Sequence, residues 1–325
     1  MRQTAFDKQG SQIRWTESAG LSVSGQLPGS EGLPEPEELI EAQRLDEASR
    51  TQGRPQTGRP QTGRPQTGRP QAGRDERGPN PAQPPLVYVH GLGSASTVYH
   101  AHTAADPRLA ARRQLFVDLP GHGISDRPAD FGYSLEEHAD ALAAALDAAG
   151  VAGADIAGHS MGGAVAIVLA ARRPDLVSRL VLTEANLDPH PVPTAGSSGI
   201  ATYTEDDFVH GGGFAAVLDR IGPLWAATMR LADPLALHRT ALGLVRGTQP
   251  TMRHLLMGLP IDRTYLVGGI DNDLSGREEL TASGVHIEVV PNAGHNIMFD
   301  NPQAFISAVV GGGVSRSSAG CRQAS

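Results

Sequence analysis

A single cysteine among 325 residues excludes an internal disulfide framework and a thiolate metal site, and Cys321 stands in a Ser/Gly-rich tail. An excess of positive charge is also missing. The formal net charge of -8 offers no concentrated cationic surface of the kind nucleic acid or an anionic membrane rewards, so neither is expected as a partner. No run of about 18 uninterrupted apolar residues occurs, and the opening MRQTAFDKQGSQ lacks the apolar stretch of a secretory signal. These absences lead to the expectation of a soluble, cytoplasmic chain. The 12 histidines are scattered, without the paired spacing of a metalloprotease helix, so no metal or other cofactor is expected.

What is present changes along the chain. Residues 51–75 read TQGRPQTGRPQTGRPQTGRPQAGRD, a five-residue repeat with arginines at 54, 59, 64, 69 and 74. Its prolines and glycines deny it helix and central strand, and it has almost nothing to bury. Together with the acidic EPEELIEAQRLDEASR before it, it predicts a disordered insertion over 25–84. The N-terminal segment 1–24 carries one strand candidate, SQIRWTES at 11–18, read as an edge strand.

From Pro85 onward six apolar runs each end in a Gly, Pro or polar signal: PLVYVHG, RQLFVDLPGHG, ADIAGHSMGG, SRLVLTEAN, RTYLVGG and VHIEVVPNAGH. Helix-length segments lie between several of them, LEEHADALAAALDAAG at 135–150 and GAVAIVLAARRPDLVSR at 163–179. Continuous apolar strands alternating with helices imply a mostly parallel sheet covered on both faces, an α/β fold. Ser134 and Glu137 form a capping box for the first helix, with Gly150 as its stop. Between 185 and 258 the spacing is helical with Pro/Gly breaks, which predicts a cap inserted after the strand that ends near Glu184. The core then divides into 85–184 and 259–312, with 313–325 a flexible tail.

The strongest local signal is Gly158-His159-Ser160-Met161-Gly162-Gly163, a G-x-S-x-G pattern directly after an apolar strand and directly before a helix. Gly158 and Gly162 permit a turn sharp enough to expose Ser160, and the Met161 amide then begins a helix where negative charge is stabilised. A second amide donor is expected from Leu92 in His90-Gly91-Leu92-Gly93, with Gly91 and Gly93 allowing close approach. His90 and His122 are read as structural. His295 follows the strand HIEVV and precedes a helix expected to start near Pro302, which suits a base that takes the Ser160 proton.

HGLG, DLPGHG, GHSMGG, the helical cap and the late GH together resemble the α/β-hydrolase superfamily, specifically a serine-elbow, cap-bearing, esterase-like branch, over essentially 85–312. The resemblance implies an α/β-hydrolase fold and a serine hydrolase acting on a small, hydrophobic carboxylic ester or related acyl compound through an acyl-enzyme. Its partners would be the small-molecule substrate and water. A carbon-carbon bond hydrolase, a cofactor-free perhydrolase and a non-catalytic ligand-binding member are the alternatives. Branches with an elbow aspartate are unlike this chain, which has serine at 160.

Chain order places the triad acid between the serine and the histidine. Asp271, three residues past Gly268 in GGIDNDLSG, stands where the superfamily usually carries it. Glu184 competes from the end of SRLVLTE, where TEANLDP resembles an acid-bearing motif of related branches. An acid at the inner end of a buried strand is rarely left without a partner. Asp273 and Asp188 complete the set.

Overall fold

The run PLVYV becomes strand β3 (Leu86–Val89), all four residues of which are buried. Val87 and Val89 join one hydrophobic cluster while Leu86 and Tyr88 join a second, because successive side chains leave a strand on opposite faces. The computed structural model describes residues 2–6, 12–18, 83–190, 198–270 and 274–311. The expectations for the repeat insertion, Asp271, Asp273 and the C-terminal tail lie outside the described residues.

All six apolar runs are strands: β3, β4 (Gln114–Asp118), β5 (Ala154–His159), β6 (Val177–Thr183), β7 (Asp262–Gly268) and β8 (His286–Val290). They pair in parallel. Two antiparallel strands, β1 (Arg2–Phe6) and β2 (Gln12–Ser18), extend the sheet to the order β1-β2-β4-β3-β5-β6-β7-β8. SQIRWTES is therefore not an edge strand. Residues 2–6 fold back on it in register, Arg2 opposite Thr16 and Phe6 opposite Gln12, and its Trp15 is buried in the first cluster.

Helices cover both faces. Helix α1 (Ser96–Ala104) contributes Tyr99 to the second cluster, whereas α2 (Leu135–Ala148) and α3 (Met161–Arg172) pack into the first. The capping box at the start of α2 is formed, with Ser134 Oγ accepting from the Glu137 amide and the Glu137 carboxylate accepting from the Ser134 amide. The segment 163–179 is not one helix. It stops at Arg172 and Val177 already belongs to β6, because Pro174 lacks the N–H a helix needs and disfavours helical backbone at the residue before it.

Between β6 and β7 the regular elements among the described residues are helical: a 3-10 turn at Ile200–Thr202, then α4 (Glu205–Val209), α5 (Gly213–Arg220), α6 (Pro223–Met229), α7 (Pro234–Arg246) and α8 (Met252–Gly258). The starts of α4, α7 and α8 are written in sequence, since Thr204, Asp233 and Thr251 each accept a hydrogen bond from the amide three residues on. Helix α9 (Arg277–Ala282) precedes β8; α10 (Ile297–Asp300) and α11 (Pro302–Val310) follow it.

One buried charge network ties the last helix to the sheet. Asp155 on β5 accepts from Arg179 and Ser178 and lies 2.7 Å from the Arg112 guanidinium. Arg179 also donates to the carbonyls of Ala308, Val309 and Gly311 at the end of α11. Removing the anion leaves two buried guanidiniums without counter-charge, so D155N is expected to lose about 3–5 kcal/mol. Urea unfolding followed by circular dichroism measures it.

Candidate active site

Chain direction in the sheet opens a crevice at the C-terminal ends of β3 and β5. The chain runs from β3 outward to β4, then returns to β5 on the other side of β3. Such a switch point is where open α/β sheets place ligands. Ser160 stands there, between β5 and α3, with φ 52° and ψ -118°, a backbone conformation non-glycine residues hold only at a cost of about 1–3 kcal/mol. The turn is pinned on both sides: the Ser160 amide donates to the Thr183 carbonyl at 2.9 Å, and the Ser160 carbonyl accepts from Gly163 at 3.0 Å. Gly162 has no room for a side chain, since a Cβ there would fall 2.4 Å from the carbonyl oxygens of Val89 and His90. Helix α3 thereby starts hard against the end of β3.

That end of β3 carries the loop His90-Gly91-Leu92-Gly93. His90 is fully buried; its Nδ1–H donates to the Gly91 carbonyl at 2.8 Å and its Nε2 accepts from the Leu119 amide at 3.0 Å. One ring nitrogen serves the loop itself and the other ties it to the residue after β4, a structural role for His90. His122 is likewise fully buried, and its Nδ1–H donates to the Pro120 carbonyl at 3.1 Å. Gly91 lies against the elbow, 2.9 Å separating its absent Cβ from His159 Nδ1. No hydrogen bond among the described residues uses the Leu92 or Met161 amides.

His295 follows β8, and its side chain is 47% exposed while that of Glu184 is 12% exposed. Glu184 directly follows β6 with φ 50°, the second non-glycine residue held at positive φ at the strand tips of the crevice. Its Oε1 accepts from the Gly268 amide at 2.6 Å, and its Oε2 lies 3.9 Å from His295 Nδ1. Ser160 Oγ points to Asn186 Oδ1 at 3.5 Å, which in turn lies 3.5 Å from His190 through its Nδ2. Among the described residues no hydrogen bond joins the imidazole to the serine, and its 3.9 Å approach to the glutamate is an ion-pair distance longer than a hydrogen bond.

Two cavities meet at Ser160. A small one of about 40 Å³ is lined by Gly91, Leu92, Ser94, Tyr99, His159 and His295, among others. A larger one of about 610 Å³ is lined by Glu184, Asn186, Asp188, Arg253, Tyr265 and His295, among others. Both share Ser160, Trp225 and Asn296. Of the candidates read from sequence, Ser160, Leu92, Gly91, Glu184 and His295 therefore converge; the Met161 amide begins α3 beside Ser160. Asp188 is clamped by Arg253, Nη2 to Oδ2 at 2.6 Å. Asp271 and Asp273 are outside the described residues. Among the described residues no group of three or more His, Cys, Asp or Glu side chains is arranged to hold a metal ion.

Two contributors, His159 and Asn186, are not readable as such from the sequence, whereas Trp225 stands among the apolar residues of the cap able to line a pocket, with Phe208, Phe214, Met229, Leu231 and Leu235. His159, the variable residue of the elbow, donates from Nε2 to the His295 carbonyl at 3.0 Å, and burial pushes its imidazole well below the usual histidine range. Asn186 reaches Ser160 from the start of the cap, and Trp225 lines both cavities beside it. The place of Asn186 two residues after Glu184 in TEAN was the available signal. Most of the cap's apolar residues are not pocket lining: Phe208 and Met229 are fully buried in the packing and Leu231 is exposed.

The strand order, the strained serine turn and the crevice are those of an α/β-hydrolase fold, and the model for the alpha/beta hydrolase fold matches residues 84–207. The chain is similar to a 2-hydroxymuconate semialdehyde hydrolase of Pseudomonas sp. (strain CF600), 40% identical over 99 residues that cover 30% of this chain and 35% of that one; the match spans about a third of that relative's length. An esterase of Mycobacterium tuberculosis is 29% identical over 267 residues, 70% of this chain and 82% of the relative. An esterase from Exiguobacterium antarcticum superposes with TM-score 0.61 at 17% identity, covering 95% of this chain and 98% of that chain.

Proposed function

We propose that the protein is a serine hydrolase that cleaves a carboxylic ester or related acyl compound through an acyl-enzyme. The observation that carries the reading is Ser160, held at φ 52° between β5 and α3, in a crevice it shares with His295 and Glu184. Rotation of His295 about its side-chain bonds brings Nε2 to Ser160 while Nδ1–H turns to Glu184. Ser160 Oγ then attacks the carbonyl carbon and gives its proton to His295. The amides of Leu92 and Met161 stabilise the oxyanion. Protonated His295 returns the proton to the leaving alcohol as the carbon–oxygen bond breaks, and water, deprotonated by the same imidazole, releases the acid. Glu184 fixes the tautomer and stabilises the imidazolium.

A fluorophosphonate probe tests this directly. Stoichiometric labelling of the wild-type protein and no labelling of S160A is the expected result; labelling that survives S160A overturns the assignment of the nucleophile. A carbon-carbon bond hydrolase is the second reading, favoured by the local identity to the semialdehyde hydrolase. It uses the same serine region, and turnover of a dienol semialdehyde exceeding that of esters would select it.

A further inference from the structure

The two cavities at Ser160 differ in size by more than tenfold, about 40 against about 610 Å³, and a single side chain from the cap walls both. Trp225 on α6 is half-buried, and its Nε1–H donates to the Leu92 carbonyl at 2.7 Å. Its anchor is tight from the other side as well. Gly93 has φ 68°, and a Cβ there would lie 3.1 Å from Trp225 Nε1 and 2.7 Å from Met229 Cε. Met229, at the end of the same helix, is fully buried. The indole is therefore fixed to the loop that carries the Leu92 amide, at a residue where only glycine lets the cap come so close.

We propose that Trp225 is a specificity-determining residue that limits the acyl group: the small compartment takes the acyl chain, and the open one takes a larger alcohol bearing polar groups. This rests on the serine-hydrolase reading of the site. A compartment of about 40 Å³ holds about three water-sized groups, so acyl chains of about two or three carbons fit and longer ones meet the indole. Assignment of the sides follows from the order of events. The alcohol leaves first and water must then enter, which suits the larger, more open compartment; the acyl group stays on Ser160 until hydrolysis, which suits the smaller, more enclosed one. The open side is lined with hydrogen-bonding groups, including Asn186, Asp188, His190, Arg253 and Ser275. Arg253 and Asp188 neutralise each other there, so the recognised alcohol need carry no charge.

The experiment holds the leaving group constant and varies the acyl chain: 4-nitrophenyl acetate, butyrate and octanoate, with wild type, W225A and W225L. For wild type, kcat/KM is expected to fall by about 100-fold or more from acetate to octanoate, within reach of the few kcal/mol that a filled pocket discriminates. W225A should narrow that ratio by at least about tenfold through faster octanoate turnover, with W225L between the two. A variant that merely loosened the fold would lower all three esters together and leave the ratio as it was. Wild type that turns over octanoate as well as acetate, or W225A and W225L that both keep the wild-type ratio, overturns the assignment of Trp225 while leaving the serine mechanism intact. Absence of turnover on every ester together with absence of fluorophosphonate labelling overturns the serine mechanism, and the acyl subsite falls with it.

Discussion

E184Q is expected to lower kcat by about 10⁴-fold, the loss seen when the orienting acid of a serine protease is replaced by its amide, while D271N stays within about tenfold of wild type. The geometry on which this rests is specific. Glu184 lies 3.9 Å from His295 Nδ1, and its other oxygen is held by the Gly268 amide at 2.6 Å, so the carboxylate is aimed by backbone and does not need the imidazole to keep its place. Glutamine retains an acceptor for Gly268, which isolates the loss of charge from a loss of fold. What disappears is the anion that selects the Nδ1–H tautomer and stabilises the imidazolium formed during attack. Single-turnover kinetics on an activated ester separates the chemical step from binding, and a melting curve on each variant detects unfolding. The reverse pattern, a large kcat loss in D271N with E184Q near wild type, assigns the role to Asp271. Asp188 is the least suited of the acids, because Arg253 already holds its carboxylate with three contacts of 3.0 Å or less.

The parts of this site that were legible in sequence are those encoded within a few residues. The elbow is a strand, a turn and a helix in one continuous stretch, and small residues at 158, 162 and 163 reveal a turn that must be sharp. Glu184 announced itself as a carboxylate at the end of an otherwise apolar strand, and His295 by its place after the last strand. The capping box at Ser134 and the starts of α4, α7 and α8 are local for the same reason. What stayed hidden depends on contacts distant in the chain. Trp225 meets Leu92 across a separation of 133 residues, and nothing in HGLG or in PLWAATM names the other. Packing also overrode composition in the cap, where apolar character alone does not tell Phe208, which is buried in the core, from Trp225, which lines the cavities. SQIRWTES failed as an edge strand because its partner, RQTAF, is too short and polar to stand out before the hairpin is formed.

Acid should unfold this protein well before the carboxylates are titrated. Burial lowers His90 to about 4 and both His100 and His122 to about 3, from an ordinary 6.5. In each the desolvation of the charged ring is the largest cause, followed by a hydrogen bond that partly offsets it at His90 and by repulsion from His90 at His100 and His122. A histidine whose folded pKa lies below its unfolded value takes its proton first in the unfolded chain. Its stabilising contribution is complete above about pH 6.5 and is lost progressively as pH falls toward 3–4. At pH 5 each group costs about 2 kcal/mol, so the buried histidines together cost a sizeable share of the whole stability of many domains. Asp118 works in the opposite direction, because burial raises its carboxyl and the folded state gains as it protonates. The melting temperature should therefore fall steeply between pH 6.5 and 5 and be nearly flat from 7 to 8. His100 offers the control. Neither of its ring nitrogens has a hydrogen-bond partner among the described residues, and the ring stacks on Tyr88 at 5.0 Å and Phe305 at 5.6 Å, so H100F keeps the aromatic packing and removes one buried base. It should recover about 2 kcal/mol of the stability lost between pH 7 and 5, and an acid sensitivity unchanged in H100F would locate the effect outside His100.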